Sequence, residues 1–252
     1  KVDLQFKITK EFIEEIQEFV SNNNGDGILN AIKILHEADI AEILDLVSMD
    51  EAKFIFRLLD EEKASEVLVE LEEDVRIKFL EALSAKEIAE QMDNMDSDDA
   101  ADIMAEMPEE KQEEVISQIE DPQQAIDIAS LMQYDEDTAG AIMGTELIFV
   151  NENWTTDQCI TEMREQAINV QYIYTVYVVD NDKKLVGMLS LKSLLFASEN
   201  SLIKDIFIKE VRSTNANETI EEVATMMKKY DFVALPVLND EGILIGRITI
   251  DE

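Results

Sequence analysis

Apolar residues recur with a period of twelve through the first half of the chain. From residue 28 to residue 135, most units carry an apolar pair at positions four and five and another apolar residue at position eight, as in Ile43, Leu44 and Val47. On a helix this spacing places the three side chains on one face of about two turns. Helices this short are unstable alone, so each must pack against its neighbours. The pattern therefore predicts an all-α superhelix of short stacked helices.

The other positions of the repeat supply caps and turns. The ninth position holds residue types that begin helices, namely Ser48, Asp60, Ser84, Asp96 and once Pro108. The methionines of the apolar face are expected in the core: Met92, Met95, Met104 and Met107. Ahead of the repeat, residues 1–24 predict one amphipathic helix, which an Asn/Gly-rich cluster at residues 22–27 ends.

The second half of the chain contains two copies of a different pattern. Each copy has a helix, an apolar strand, a turn, a second apolar strand and a further helix. The predicted strands are residues 173–180 and 185–190 in the first copy, and 232–238 and 243–249 in the second. The second copy is cut off before its final helix, at Glu252. This half is predicted to be a duplicated α/β structure.

A helix-breaking Thr-Ala-Gly at residues 138–140 separates the two patterns. We therefore predict an all-α domain over residues 1–135, then a linker and first α/β domain over 136–202. The second α/β domain is predicted over residues 203–252.

The charge of the chain is −36 and lies mostly in the first half, where residues 1–144 hold 39 acidic and 11 basic side chains. Such a field repels nucleic acid and attracts cations, so no nucleic-acid partner is expected. The single cysteine, Cys159, and the single histidine, His36, argue against a disulfide framework and a multi-histidine metal site. His36 is expected to make an ordinary polar contact. No apolar run reaches the length of a membrane span, so the sequence as given predicts a soluble, cytosolic protein.

Residues 96–102, with the sequence DSDDAAD, hold the strongest candidate site. Asp98 and Asp102 are four residues apart, so on a helix their like charges lie on one face. This arrangement costs free energy unless a cation lies between them. Asp96 is expected to cap the helix. Glu66 occupies the position equivalent to Asp102 three repeats earlier and is a further candidate on the same surface.

The second half resembles a tandem pair of CBS domains, a Bateman module. The resemblance rests on the order and duplication of the elements and on the strand ends Gly187-x-x-Ser190 and Gly246-x-x-Thr249. CBS pairs often bind an adenine nucleotide through a carboxylate three residues after that Ser or Thr. Here Ser193 and Glu252 stand at those positions, so the first site lacks its carboxylate.

The whole chain resembles the cytosolic part of the MgtE-type magnesium transporters, an N domain followed by CBS domains. The matching segments include HEADIAEIL at residues 36–44, the stretch at residues 96–102 and TAGAIM at residues 138–143. The resemblance implies a homodimer through the CBS domains, at the cytoplasmic face of the membrane, joined to a C-terminal transmembrane pore domain. Mg²⁺ would be the regulatory ligand that compacts the dimer and favours the closed pore.

The same resemblance implies a set of metal ligands, taken position by position. These are Asp98, Asp102, Glu66, the backbone near Ala141, Asp251, Glu252, Glu221 and Asp231. Two departures from the family pattern fall in the second CBS copy, where Thr219 replaces a common aspartate and Lys228 places a cation near Asp231.

Two other functions stay open from the sequence. One is a soluble CBS protein that senses adenine nucleotide, and the other is a scaffold whose acidic residues form a solvated face. An enzyme is not expected, because no nucleophile with a base and no glycine-rich phosphate loop is found.

Overall fold

A computed structural model describes residues 7–170, 173, 175–198 and 200–250. The chain divides into two compact units. The first, the helical unit, comprises the residues up to 95 together with residues 102–126. The second, the α/β unit, comprises residues 96–101 together with those from 127 onward.

Ten short helices make up most of the described residues of the first half, residues 7–131. They are α1 (Lys10–Ser21), α2 (Gly25–Ile32), α3 (Glu37–Leu46), α4 (Met49–Phe56), α5 (Glu61–Glu70), α6 (Glu73–Ala82), α7 (Ala85–Met92), α8 (Ser97–Ala105), α9 (Glu109–Ile116) and α10 (Pro122–Leu131). From α2 to α9 successive helices begin twelve residues apart. The predicted repeat of short helices is confirmed.

The first predicted helix begins later than expected. Its described part starts at Lys10, because Thr9 has an extended backbone and its hydroxyl accepts a hydrogen bond from the Phe12 N–H at 3.2 Å. Residues 7–9 are therefore not helical, and residues 1–6 lie outside the described residues. The helix ends at Ser21, as the Asn/Gly cluster predicted, and Asn24 then caps α2.

The predicted caps at Ser48, Asp60 and Ser84 are confirmed. Each side chain accepts a hydrogen bond from the backbone N–H three residues further on. His36 makes the polar contact expected of it, since its Nδ1 accepts a hydrogen bond from the Ala38 N–H at 3.3 Å. These bonds satisfy N–H groups that a helix start leaves without a partner.

The apolar stripe of the repeat forms the core of the helical unit. Helix α3 packs against α5, α5 against α7 and α7 against α9. Met92, Met104 and Met107 are buried as predicted, whereas Met95 is partly exposed. Partly buried polar contacts join segments about 30 residues apart, as where the Arg76 guanidinium of α6 donates to the carboxylate of Glu106, just after α8.

The α/β unit repeats one topology twice. Its elements are β1 (Ile148–Asn151), α11 (Thr156–Gln166), β2 (Val176–Val179), β3 (Leu185–Leu189), α12 (Leu191–Phe196), β4 (Thr214–Asn215), α13 (Ile220–Tyr230), β5 (Ala234–Leu238) and β6 (Leu244–Thr249), with 3-10 turns at Ala167–Asn169 and Ile203–Asp205. The sheet orders are β1-β2-β3 and β4-β5-β6, with a parallel pair followed by an antiparallel pair in each. The predicted duplication is confirmed.

Two strands were not anticipated from the sequence. β1 has four residues and β4 has two, too few to show an alternating pattern. Each pairs in parallel with the apolar hairpin of its own copy. Of the helices in the described residues, none combines the length and apolar character that a bilayer crossing requires.

We expect Glu87→Gln to weaken the helical unit in a pH-dependent way. Hydrogen bonds from Ser84, with a further contribution from Arg57, lower the pKa of the Glu87 carboxyl from 4.5 to about 2. The stability that the carboxylate contributes is therefore fully present above about pH 4.5 and is lost as the pH falls towards 2. Urea unfolding followed by circular dichroism should show a loss of about 1 kcal/mol at pH 7.

Below pH 4.5 the difference between Glu87→Gln and the native chain should shrink. Glu90→Gln is the matched control, because Glu90 lies on the same helix and makes an exposed pair with Lys86 at 3.7 Å. Equal effects of the two substitutions at pH 7 would contradict the prediction.

Candidate metal centre

Three carboxylates meet in the α/β unit at the start of helix α8. Asp96 precedes the helix, Asp98 lies in its first turn, and Glu146 comes from the segment that leads into β1. One oxygen atom from each carboxylate lies within 4.8 Å of the other two. We call this group the acidic centre.

Hydrogen bonds of Ser97 hold the two segments of the acidic centre together. The Ser97 N–H donates to Glu146 Oε1 at 2.9 Å, and the Thr145 N–H donates to Ser97 Oγ at 2.9 Å. The Ser97 and Thr145 hydroxyls are 3.0 Å apart, and Thr145 Oγ1 donates to Asp127 Oδ2 at 3.1 Å. Because Ser97 is fully buried, these bonds form away from water and fix Glu146 against the helix start.

The acidic centre carries an unsatisfied buried acceptor. Asp98 is only 8% exposed, and its Oδ1 atom has no hydrogen-bond partner among the described residues. A buried carboxylate oxygen without a donor costs free energy, so native structures usually pair such an atom with a donor, a water or an ion.

Two carboxyls of the centre, those of Asp98 and Glu146, hold protons more strongly than exposed carboxyls do. Burial raises the pKa of Asp98 to about 6, and the charges of Asp99 and Asp96 add to the rise. Burial likewise raises the pKa of Glu146 to about 7, with contributions from Asp96 and Asp98. Above about pH 7, where Asp98 and Glu146 are ionised, the centre is a concentrated negative charge.

Gly144 leaves room between the carboxylates. A Cβ atom at this position would lie 3.0 Å from Glu146 Oε2 and 3.2 Å from Asp98 Oδ2. A larger residue would fill the space between the two side chains. Gly144 is itself fixed by two backbone hydrogen bonds with Arg247, each of 2.9 Å.

This arrangement suits a hard divalent cation. All of its side-chain ligands are oxygen atoms, which Mg²⁺ and Ca²⁺ prefer, and Mg²⁺ commonly uses few carboxylates and retains several waters. Asp98 Oδ1 supplies the acceptor that an ion would satisfy. Asp96, Asp98 and Glu146 are thus the described residues that fit a bound Mg²⁺.

The structure distributes the residues that were predicted as ligands over several places. Asp98 lies in the acidic centre, whereas Asp102 is exposed one turn later on α8 and belongs to the helical unit. Neighbouring protein atoms nevertheless partly desolvate the Asp102 carboxyl and raise its pKa, and the Arg76 charge opposes this rise. Burial and the charges of Glu37 and Glu62, in that order, raise the pKa of Glu66 on α5.

The remaining predicted ligands lie elsewhere in the chain. The backbone N–H of Ala141 donates to the Thr138 carbonyl at 3.0 Å. Glu221 is exposed in the first turn of α13, and Asp231 ends that helix in a left-handed conformation with φ of 54°. Asp251 and Glu252 lie outside the described residues.

Sequence reasoning missed Glu146 and treated Asp96 only as a cap. The one local signal at Glu146 is its position, two residues after a glycine and just before an apolar strand. Its approach to residues 96–98 depends on a contact across 49 positions of the chain.

Comparison with protein families agrees with this architecture. The model of the MgtE intracellular N domain matches residues 35–137, and the CBS domain model matches residues 139–200 and 203–252. The chain belongs to the MgtE N-domain and CBS-domain families. This confirms the resemblance and the predicted fold class, a helical MgtE N domain followed by a tandem CBS pair. The same matches agree with the expectation that the chain is not an enzyme.

Known relatives extend the similarity along nearly the whole chain. It is 29% identical to the magnesium transporter MgtE of Thermus thermophilus over 239 residues, which is 94% of this chain and 53% of the relative. It is 37% identical to MgtE of Enterococcus faecalis over 130 residues, 52% of this chain and 29% of the relative. The chain thus spans about half or less of the curated relatives that it matches.

Two solved structures share the fold along almost their full length. The soluble part of a magnesium transporter has a TM-score of 0.83 at 26% identity, covering 96% of this chain and 95% of that one. The cytosolic domain of the Mg²⁺ channel MgtE, in complex with ATP, has a TM-score of 0.86 at 28% identity, covering 95% and 97%.

We expect Asp98→Asn to stabilise the metal-free protein at pH 8. Burial raises the pKa of Asp98 above its ordinary value of 3.8. The free energy of unfolding of the protein therefore falls as the pH rises through about 6 and this carboxyl ionises. The neutral amide avoids this loss. Thermal unfolding in the presence of a chelator should show a gain on the order of 1 to 2 kcal/mol at pH 8, and little gain at pH 4.

Asp182→Asn is the matched control, since Asp182 is exposed at the turn between β2 and β3. A loss of stability in Asp98→Asn at pH 8 would show that the carboxylate is satisfied by the protein itself.

Proposed function

We propose that this chain is the Mg²⁺-sensing regulatory region of a magnesium transporter, and that the acidic centre binds the regulatory Mg²⁺. The observation that carries the proposal is the crowding of Asp96, Asp98 and Glu146, with the buried Asp98 Oδ1 lacking a donor. Membership in the MgtE N-domain and CBS families supports magnesium as the ion.

The proposed site is suited to weak, reversible binding. It offers three carboxylates from two segments rather than a closed cage, so a bound Mg²⁺ would retain part of its water shell. Repulsion between the buried like charges also raises the free energy of the metal-free state. Such a site responds to changes in the concentration of an abundant ion instead of holding the ion permanently.

Binding at the acidic centre would act on helix α8. Residues 96–101 belong to the α/β unit, whereas the rest of α8 belongs to the helical unit. An ion that fixes the first turn of α8 therefore restrains a helix shared by both units. If Mg²⁺ binds one arrangement of the chain more tightly, it shifts the population towards that arrangement. We propose that this arrangement is compact and corresponds to the closed pore.

We further propose that the chain acts as a homodimer joined to a transmembrane pore domain, at the cytoplasmic face of the membrane. The pore domain is suggested by the part of the T. thermophilus transporter that lies outside the matched 53%. Leu195 and Phe196 of α12 are each 82% exposed, which favours a protein contact on the CBS half.

The other residues that the family resemblance implies are proposed as additional ligands. They are Asp102, Glu66, the backbone at Ala141, Glu221, Asp231, Asp251 and Glu252. None of the described members of this set lies in the acidic centre, so they would belong to further Mg²⁺ sites.

Isothermal calorimetry and limited proteolysis across a MgCl₂ titration test the proposed function. We expect Mg²⁺ to bind and to protect the native chain from cleavage at constant ionic strength. Asp98→Asn should weaken this binding by at least about tenfold, because it removes a ligand charge. Asp182→Asn should leave it unchanged.

Two results would contradict the magnesium proposal. If Mg²⁺, Ca²⁺ and NaCl at equal ionic strength act alike, the acidic residues form a solvated face and the scaffold interpretation holds. If the cleavage pattern of the native chain does not change with Mg²⁺, the chain is not a magnesium sensor under those conditions.

A second candidate function is adenine-nucleotide binding by the CBS pair. It is favoured by the similarity to the MgtE cytosolic domain solved with ATP. Ser193 occupies the position where CBS nucleotide sites often carry a ribose-binding carboxylate, so binding is expected to be weak. Calorimetry with ATP should show stronger binding to Ser193→Asp than to the native chain. Equal or weaker binding to Ser193→Asp would exclude this site.

A further inference from the structure

Arg247 is the charged residue of β6 that borders the acidic centre. Arg247 is 9% exposed. It lies 101 residues after Glu146 in the sequence. Its Nε donates to the Glu146 carbonyl oxygen at 2.8 Å, and its Nη2 lies 3.7 Å from Asp96 Oδ2. A buried guanidinium therefore stands at the edge of a group of three carboxylates.

The backbone and the side chain of Arg247 make separable contributions. Its main-chain N–H and carbonyl form the two hydrogen bonds with Gly144, each of 2.9 Å, that fix the segment leading to Glu146. These bonds do not depend on the identity of the side chain. Replacing the side chain therefore leaves these two bonds in place and removes the charge at the centre, together with side-chain contacts such as the Nε bond to Glu146.

The charges of this group match a divalent ion. Three ionised carboxylates carry a charge of −3, and the Arg247 guanidinium reduces the sum to −2. One divalent cation balances that sum. The guanidinium also stabilises the metal-free centre through Asp96 and repels an incoming cation, because charges this close interact strongly in a partly buried site.

We propose that Arg247 sets the Mg²⁺ affinity of the acidic centre, as a built-in positive charge that competes with the metal. This inference rests on the proposed function, since it concerns the ion taken up by the same centre. Arg247 contacts the ligand-bearing residues and acts through their charge. Its effect is to raise the Mg²⁺ concentration at which the centre fills.

Calorimetry and thermal unfolding of Arg247→Gln with MgCl₂ test this inference. Glutamine removes the charge and retains a hydrogen-bond donor. We expect Mg²⁺ to bind at least about tenfold more tightly, because even at the dielectric constant of water a monovalent charge roughly 6 Å from a divalent one has about that effect. The metal-free thermal midpoint should fall, and Mg²⁺ should raise it by more than in the native chain.

Two matched variants isolate the local charge. Arg247→Lys keeps the charge and should bind Mg²⁺ within about threefold of the native chain. Lys184→Gln makes the same change in net charge at an exposed turn, and should leave the affinity unchanged. If Arg247→Gln does not fold without metal, the Mg²⁺ affinity of Asp96→Asn is compared with that of the double variant Asp96→Asn, Arg247→Gln.

The outcomes separate this inference from the proposed function. Tighter binding in Arg247→Gln, but not in the two matched variants, supports the competing charge. A native chain that binds Mg²⁺, with equal or weaker binding in folded Arg247→Gln, overturns the inference alone and leaves Arg247 a structural residue. Absence of Mg²⁺ binding in all these proteins overturns both the proposed function and the inference.

Discussion

The hydrogen bonds of Ser97 are the interaction on which the acidic centre depends. They attach the first turn of α8 to residues 145 and 146, and so bring Glu146 to Asp98 despite the repulsion between their charges. Such bonds are strong in a buried site because water does not compete for them. They act together with the two backbone bonds between Gly144 and Arg247, which fix the segment that leads to Glu146. The serine and backbone donors have no charge of their own, whereas Arg247 adds a charged donor at the Glu146 carbonyl.

Much of the helical unit follows from a single limit, the instability of a two-turn helix in isolation. Helices such as α4 and α7 begin at a capping serine, and α3, α5 and α7 each pack against the helix two steps along the chain. The acidic surface costs little there, because most of its side chains are exposed and hydrated. The core can therefore remain regular while the surface accumulates negative charge.

The acidic centre differs from this surface, because its charges are costly to the fold. Its buried carboxylates are destabilising when ionised, and an unpaired acceptor at Asp98 adds to the cost. Groups held in this way often mark functional sites, because a ligand can relieve a strain that the protein alone retains. The Arg247 guanidinium offsets part of the negative charge of the centre. The charge that remains suits one divalent ion.

The sequence by itself determined the features that local pattern encodes. The twelve-residue period predicted the helix spacing, Ser48, Asp60 and Ser84 predicted helix starts, and the duplicated apolar strands predicted the CBS pair. Asp98 was also identified, because four carboxylates within seven residues are conspicuous in any register. The start of the first helix was misplaced, since the Thr9 cap is a weaker signal than the apolar pattern around it.

Only the tertiary structure decided which carboxylates share a site. Asp98 was expected to act with Asp102, its neighbour on the helix, and that pairing stays a prediction. The carboxylates that lie together in the structure are those of Asp96, Asp98 and Glu146. Periodicity reports the face of a helix on which a residue lies. It does not report which distant segment packs there. Glu146 and Arg247 reach the centre through contacts across 49 and 101 positions, and only the folded chain brings such residues together.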